Sequence, residues 1–160
     1  MIPDQARHVL ERLLPPGIPW DDVTLHLEPL AQGARADVPH ALVPRSVMAV
    51  TLKALARALK TVGMAIGREI WLAPEYAKFD TASGLALLAH ELVHVAQDEK
   101  DPDFANKYDI VARQTPPDRP WENPYEMEAY CVEASVWRTL VAEGYPSGNW
   151  KPLGIEMGLC

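Results

Sequence analysis

The sequence predicts a small α+β domain in which two long helices pack beside a short mixed or antiparallel sheet. Three observations carry that expectation. Residues 82–98 repeat apolar side chains at three- and four-residue spacing (Leu85, Leu88, Ala89, Leu92, Val93, Ala96), the period of a largely buried amphipathic helix. Asn123 followed by Pro124 reads as a helix start, because asparagine caps well and proline at the first helical position gives up an N–H that has no partner there. The segments Val23–Leu27 and Glu69–Leu72 are short and apolar, bounded by proline and glycine, as strands are.

Taken in order, Gln5–Leu14 reads as a short helix stopped by Pro15-Pro16-Gly17, and Val23–Leu27 alternates as a strand does. Ser46–Leu59 carries Val50, Leu52, Leu55, Ala56 and Leu59 at helical spacing behind Pro44. Gly63 and Gly67 flank a turn-like break before Glu69–Leu72, which Pro74 ends. That strand is expected at a sheet edge, where an extended peptide can pair through main-chain hydrogen bonds. Asp80, Thr81 and Ser83 are candidate caps for the helix over 82–98. Asp98–Trp121 is polar and ends in Pro116-Pro117-Asp118-Arg119-Pro120, so it is read as irregular and bordering a cleft. A second long helix runs from Pro124 to about Glu143. The tail, 144–160, is rich in Gly and Pro but carries Trp150, Leu153, Ile155 and Met157. It is expected either to pack on the surface or to lie in the cleft. The whole is read as one domain over 1–160: an N-terminal extension over 1–44, a core over 45–143 and the tail.

The chemistry lies in His90-Glu91-Leu92-Val93-His94. Residues four apart share a helix face, so His90 and His94 can bind one ion through their ring nitrogens without distorting the backbone. Glu91 is turned about 100° from His90, placed to act on a water rather than as a third ligand. The pattern is H-E-x-x-H, which supplies two zinc ligands and a general base. A third ligand is expected from the second long helix. Glu126 stands three residues after Asn123, where it can close a capping box, while Glu128 has no such local duty and points to nearly the opposite side. The preferred metal set is therefore His90, His94 and Glu128 for Zn2+, with Glu126 second and Glu122 third. Gln97, one turn beyond His94, is read as bonding to a ligand or to the other helix.

Together these motifs resemble a gluzincin metallopeptidase, in which H-E-x-x-H on one helix is completed by a Glu on the next. With Gly67-Arg68-Glu69-Ile70-Trp71-Leu72 and Phe79-Asp80-Thr81-Ala82-Ser83-Gly84 upstream, the order is similar to the small metallopeptidase-like domain in the core region of bacterial extracellular contractile injection systems, and in size to the minigluzincins. The resemblance covers about residues 45–140 and implies a zincin-like fold and peptide hydrolysis. Glu128 before Ala129 matches the family's Glu-Ala ligand position. Where thermolysin-like enzymes place an Asp about four residues on, this chain has Val132 and Glu133, which leaves the orienting partner of the second histidine open.

Composition narrows the classes. The net charge is −7 with no basic run, which argues against nucleic acid as a partner. No run of eighteen or more apolar residues occurs, and Met1–Arg7 lacks a basic start followed by an apolar stretch, so a chain free of the membrane and located in the cytoplasm is expected, with export by a dedicated system as the alternative. Cys131 and Cys160 are too few for a disulfide framework and are expected as free thiols. His8, His26 and His40 have no ligand spacing. The expected function is zinc-dependent hydrolysis of a protein or peptide substrate by a metal-activated water with Glu91 as base. The alternative is a latent zinc-binding component of a secretion or toxin system.

Overall fold

The structure, a computed structural model, describes residues 1–27, 62–116 and 118–160. Its elements are α1 (Asp4–Leu13), β1 (Thr24–Leu27), β2 (Gly63–Ile66), β3 (Glu69–Leu72), α2 (Ala82–Lys100), α3 (Phe104–Gln114), a 3-10 turn (Pro120–Glu122), α4 (Pro124–Ala142) and α5 (Leu153–Glu156). This is an α+β arrangement with a small mixed sheet. The helix expected over Ser46–Leu59 lies outside the described residues.

The sheet order is β1-β3-β2, with β1 parallel and β2 antiparallel to β3. β2 and β3 form a hairpin whose turn is Gly67-Arg68, with Ile66 opposite Glu69 and Gly63 opposite Leu72. Gly67 has φ +57°, a left-handed conformation that suits glycine in so tight a turn. The expectation of a turn-like break between Gly63 and Gly67 is thus corrected: the four residues Gly63–Ile66 are themselves a strand. β3 is also not an edge strand. It lies between β1 and β2, and its pairing groups are used on both sides.

α2 begins where Thr81 accepts a hydrogen bond from the Gly84 N–H at 3.2 Å, which satisfies one of the first-turn donors. It ends at Lys100, before Asp101-Pro102, because the residue preceding proline is pushed to extended backbone. Between these ends every residue from Ala82 to Gln97 is buried. Leu85, Leu88, Leu92 and Val95 pack with Ala6, Val9 and Leu10 of α1, Ile70 and Leu72 of β3, and Val136 and Leu140 of α4 in one apolar cluster. Burying each large aliphatic side chain contributes about 1.5–3 kcal/mol, enough to hold polar residues in the middle of the same helix. α4 starts as expected, with Asn123 accepting from the Tyr125 N–H at 3.0 Å and Pro124 at the first position. α2 and α4 make the most extensive contact between two elements.

Two expectations fail away from these helices. Residues 98–121 are not irregular throughout: α3 occupies Phe104–Gln114, and its inner side is marked by Phe104, Tyr108 and Val111 at four- and three-residue spacing. The cysteines are not free thiols but form a disulfide, Cys131–Cys160. It pins the end of the tail to α4, where Arg138 Nη1 also donates to the Cys160 carbonyl at 2.8 Å. Upstream, the Ser83 hydroxyl donates to the Trp150 carbonyl at 2.6 Å, so the tail runs from the start of α2 to α4. Cys160 is therefore committed to Cys131. No described helix is long and apolar enough to cross a membrane.

Candidate metal centre

The facing sides of α2 and α4 bring His90, His94 and Glu126 together. The Nε2 atoms of the two imidazoles are 3.2 Å apart. Glu126 bridges them, its Oε2 3.4 Å from His90 Nε2 and its Oε1 3.4 Å from His94 Nε2. Glu126, not Glu128, is thus the carboxylate the structure sets against the histidines. The capping box that would have occupied Glu126 does not form, because the Asn123 N–H donates instead to the Pro120 carbonyl at 3.0 Å in the preceding 3-10 turn. Glu128 lies exposed and accepts from Gln97 Nε2 at 2.8 Å, while Glu122 is exposed and pairs with Arg119 at 2.7 Å.

The other ring nitrogens fix which way each imidazole faces. Gln97 Nε2 donates to the Tyr125 carbonyl at 3.1 Å and to Glu128, which leaves its Oε1 to accept from His94 Nδ1 at 2.9 Å. Gln97 therefore serves both the histidine and the opposite helix. His90 Nδ1 lies 3.3 Å from Glu133 Oε2, a carboxylate that can only accept. With the Nδ1 sides so committed, both Nε2 atoms face one another and Glu126. Two ring nitrogens and a carboxylate converge on one point, an arrangement that a cation, a shared proton or a metal ion, holds together.

The dimensions suit zinc. Tetrahedral zinc with bonds of about 2.0–2.1 Å holds its ligand atoms about 3.3–3.4 Å apart; here the two ring nitrogens are 3.2 Å apart and each has its own Glu126 oxygen at 3.4 Å, Oε2 for His90 and Oε1 for His94. The second contacts also match the general pattern, in which each ligating histidine gives its other N–H to a carboxylate or amide oxygen. Glu133 was not expected in this role. The signal for it was present: it stands seven residues after Glu126, two turns along the same face.

The electrostatics favour positive charge at this point. Burial pushes the His90 imidazole toward the neutral form, but the hydrogen bonds and charges of Glu126 and Glu133 outweigh it and raise His90 well above the usual histidine value. For Glu126 burial acts upward, and the two imidazoles overcome it to hold the carboxyl well below the ordinary range. Burial raises Glu91 to about 7, against the opposing pull of His90 and His94.

Glu91 points from α2 toward β2. A Cβ built on Gly63 would collide with Glu91 Oε1 and come within 3.0 Å of its Cδ and 2.9 Å of Leu72 Cδ2. The missing side chain of Gly63 is thus the space the Glu91 carboxylate occupies. Aromatic rings enclose the other side: Tyr130 meets the His90 ring edge-on at 4.9 Å, and Tyr108 meets His94 at 5.8 Å. Tyr108 also donates from its hydroxyl to Glu126 Oε1.

No curated protein and no solved structure matches the chain. Residues 45–102 match the family model of the eCIS core domain, a stretch that holds the β2–β3 hairpin and α2 with His90, Glu91 and His94, and that stops before Glu126 and Glu133; the match supports an association with extracellular contractile injection systems.

Proposed function

We propose that this chain is a zinc-dependent peptidase in which His90, His94 and Glu126 hold the metal and Glu91 is the general base. The observation that carries the reading is the convergence of His90, His94 and Glu126, the ring nitrogens 3.2 Å apart and each 3.4 Å from an oxygen of Glu126, with the far side of each imidazole tied to Glu133 or Gln97. Three protein ligands are the number found in catalytic zinc sites, which keep a fourth position for water; structural sites close all four. When bound, zinc would supply the Lewis acid that polarises a peptide carbonyl and makes water nucleophilic near neutral pH.

The chain's own residues would do the rest. Glu91, with its carboxyl raised to about 7, suits a group that takes a proton from the attacking water and returns it to the leaving amine. Gly63 lies directly against that carboxylate on the strand side. An extended substrate is better matched to β2 than to β3, since β2 is an outer strand among the described residues and passes beside Glu91. The Cys131–Cys160 bridge suits work in an oxidising setting, where disulfides persist.

A second reading, a zinc-binding component of an injection apparatus without turnover, is favoured by the aromatic wall of Phe104, Tyr108 and Tyr125 that α3 and the start of α4 set beside His94. Metal content by mass spectrometry and chelator-sensitive cleavage of casein, on the purified chain and on Glu91→Gln, separate the two. One zinc per chain in both proteins with cleavage in the first alone supports the peptidase. Zinc without cleavage moves the reading to the second, and absence of zinc overturns both.

A further inference from the structure

We propose that Tyr108 is a positioning residue that holds Glu126 to one oxygen toward the metal and so keeps the fourth ligand position open. The inference rests on the metal-site reading above. A carboxylate facing an ion can bind through one oxygen or both, and in a four-coordinate site the second mode would take the place water needs. Here the two oxygens of Glu126 have different surroundings. Each lies 3.4 Å from one imidazole, Oε1 from His94 Nε2 and Oε2 from His90 Nε2, but Oε1 alone also receives the Tyr108 hydroxyl. A donated proton draws electron density from Oε1 and fixes the plane of the carboxylate, which leaves Oε2 as the stronger donor.

Tyr108 is itself well held. Its ring meets His94 edge-on at 5.8 Å, Phe104 at 5.7 Å and Tyr125 at 6.1 Å. These contacts place a side chain of α3, an element that adds no ligand to the cluster, against the chelating carboxylate of α4. Outer partners of this kind commonly change metal affinity by about 10–100-fold.

The test uses the full chain and zinc or cobalt(II) as the probe. Tyr108→Phe removes one oxygen and keeps the ring, and far-UV circular dichroism of the metal-free protein reports whether the fold is kept. Zinc affinity by competition with a chromophoric chelator is expected to fall about 10–100-fold. The visible spectrum of the cobalt(II) form should weaken from its four-coordinate intensity as Glu126 turns to bind through both oxygens. A purely structural role for Tyr108 would not move that spectrum. X-ray absorption of the zinc-loaded wild-type chain needs no variant: a single carboxylate oxygen at ligand distance is expected, and two would overturn the proposal. If wild-type protein binds one zinc and Tyr108→Phe matches it in affinity and spectrum, the role of Tyr108 fails and the metal site stands. Failure of the wild-type chain to take up metal removes both.

Discussion

Gln97 Oε1 accepts the Nδ1 proton of His94 at 2.9 Å, and this bond turns Nε2 toward His90 and Glu126. The same amide donates to Tyr125 and Glu128 on α4, so the orientation of His94 depends on how α2 and α4 pack. Gln97→Leu keeps the approximate volume and removes all three bonds. Zinc affinity should fall by about 10–100-fold, the usual effect of losing an orienting partner. Competition titration against a chelator measures it, and unchanged affinity would show that His94 needs no such support.

Glu126 and Glu128 give a sharper contrast, because they are two residues apart on one helix and have opposite surroundings. Glu126 lies between the imidazoles and Glu128 is exposed. Glu126→Ala should abolish stoichiometric zinc binding. Glu128→Ala should keep close to one zinc per chain, with at most a small loss through its bond to Gln97. The reverse pattern in metal analysis would restore Glu128 as the ligand.

Gly63 offers a way to disturb Glu91, the proposed base, without touching His90, His94 or Glu126. A methyl group there collides with Glu91 Oε1, and the neighbouring Leu72 Cδ2 closes off the sideways escape. Gly63→Ala should therefore displace the carboxylate by a fraction of an ångström to an ångström while leaving His90, His94 and Glu126 in place. A misplacement of that size costs on the order of 100-fold in rate. The predicted outcome is full zinc content with hydrolysis reduced about as much, read as kcat/KM on a fluorogenic peptide. Normal turnover would mean that Glu91 is not held against β2.

Much of this was legible in the sequence because the signals were local. The spacing of His90 and His94, the apolar stripe of α2, the Thr81 cap and the Asn123-Pro124 start are each settled within one or two turns, and the structure has all of them. That Glu126 rather than Glu128 faces the histidines has a non-local reason. Whether Glu126 closes a capping box depends on the Asn123 N–H, and that donor is taken by Pro120 in a 3-10 turn that residue spacing did not announce. Glu133 and Gly63 depend on the approach of α4 and β2 to α2, which no single segment encodes. α3 differs: Phe104, Tyr108 and Val111 carry the helical period, and the proline run over 116–120 that masks it in the sequence begins only after the helix has ended. The disulfide joins residues that only tertiary packing brings together, at a sequence separation of 29.

That disulfide gives the last prediction. By closing a loop across a sequence separation of 29, Cys131–Cys160 restricts the unfolded chain, a constraint worth about 3–4 kcal/mol on the loop-entropy account. The folded protein also loses, on reduction, the tether that keeps Cys160 beside Arg138 and α5 on α4. Urea unfolding of the wild-type chain with and without reductant, and of Cys131→Ser, should therefore show a lowered midpoint in both the reduced and the substituted proteins. His90, His94 and Glu126, the proposed ligands, are all upstream of the bridge, so zinc content should persist in urea-free buffer after reduction. Loss of zinc on reduction would instead show that the tail holds α4 in the position the metal requires, and an unmoved midpoint would show that the two cysteines do not pair in solution.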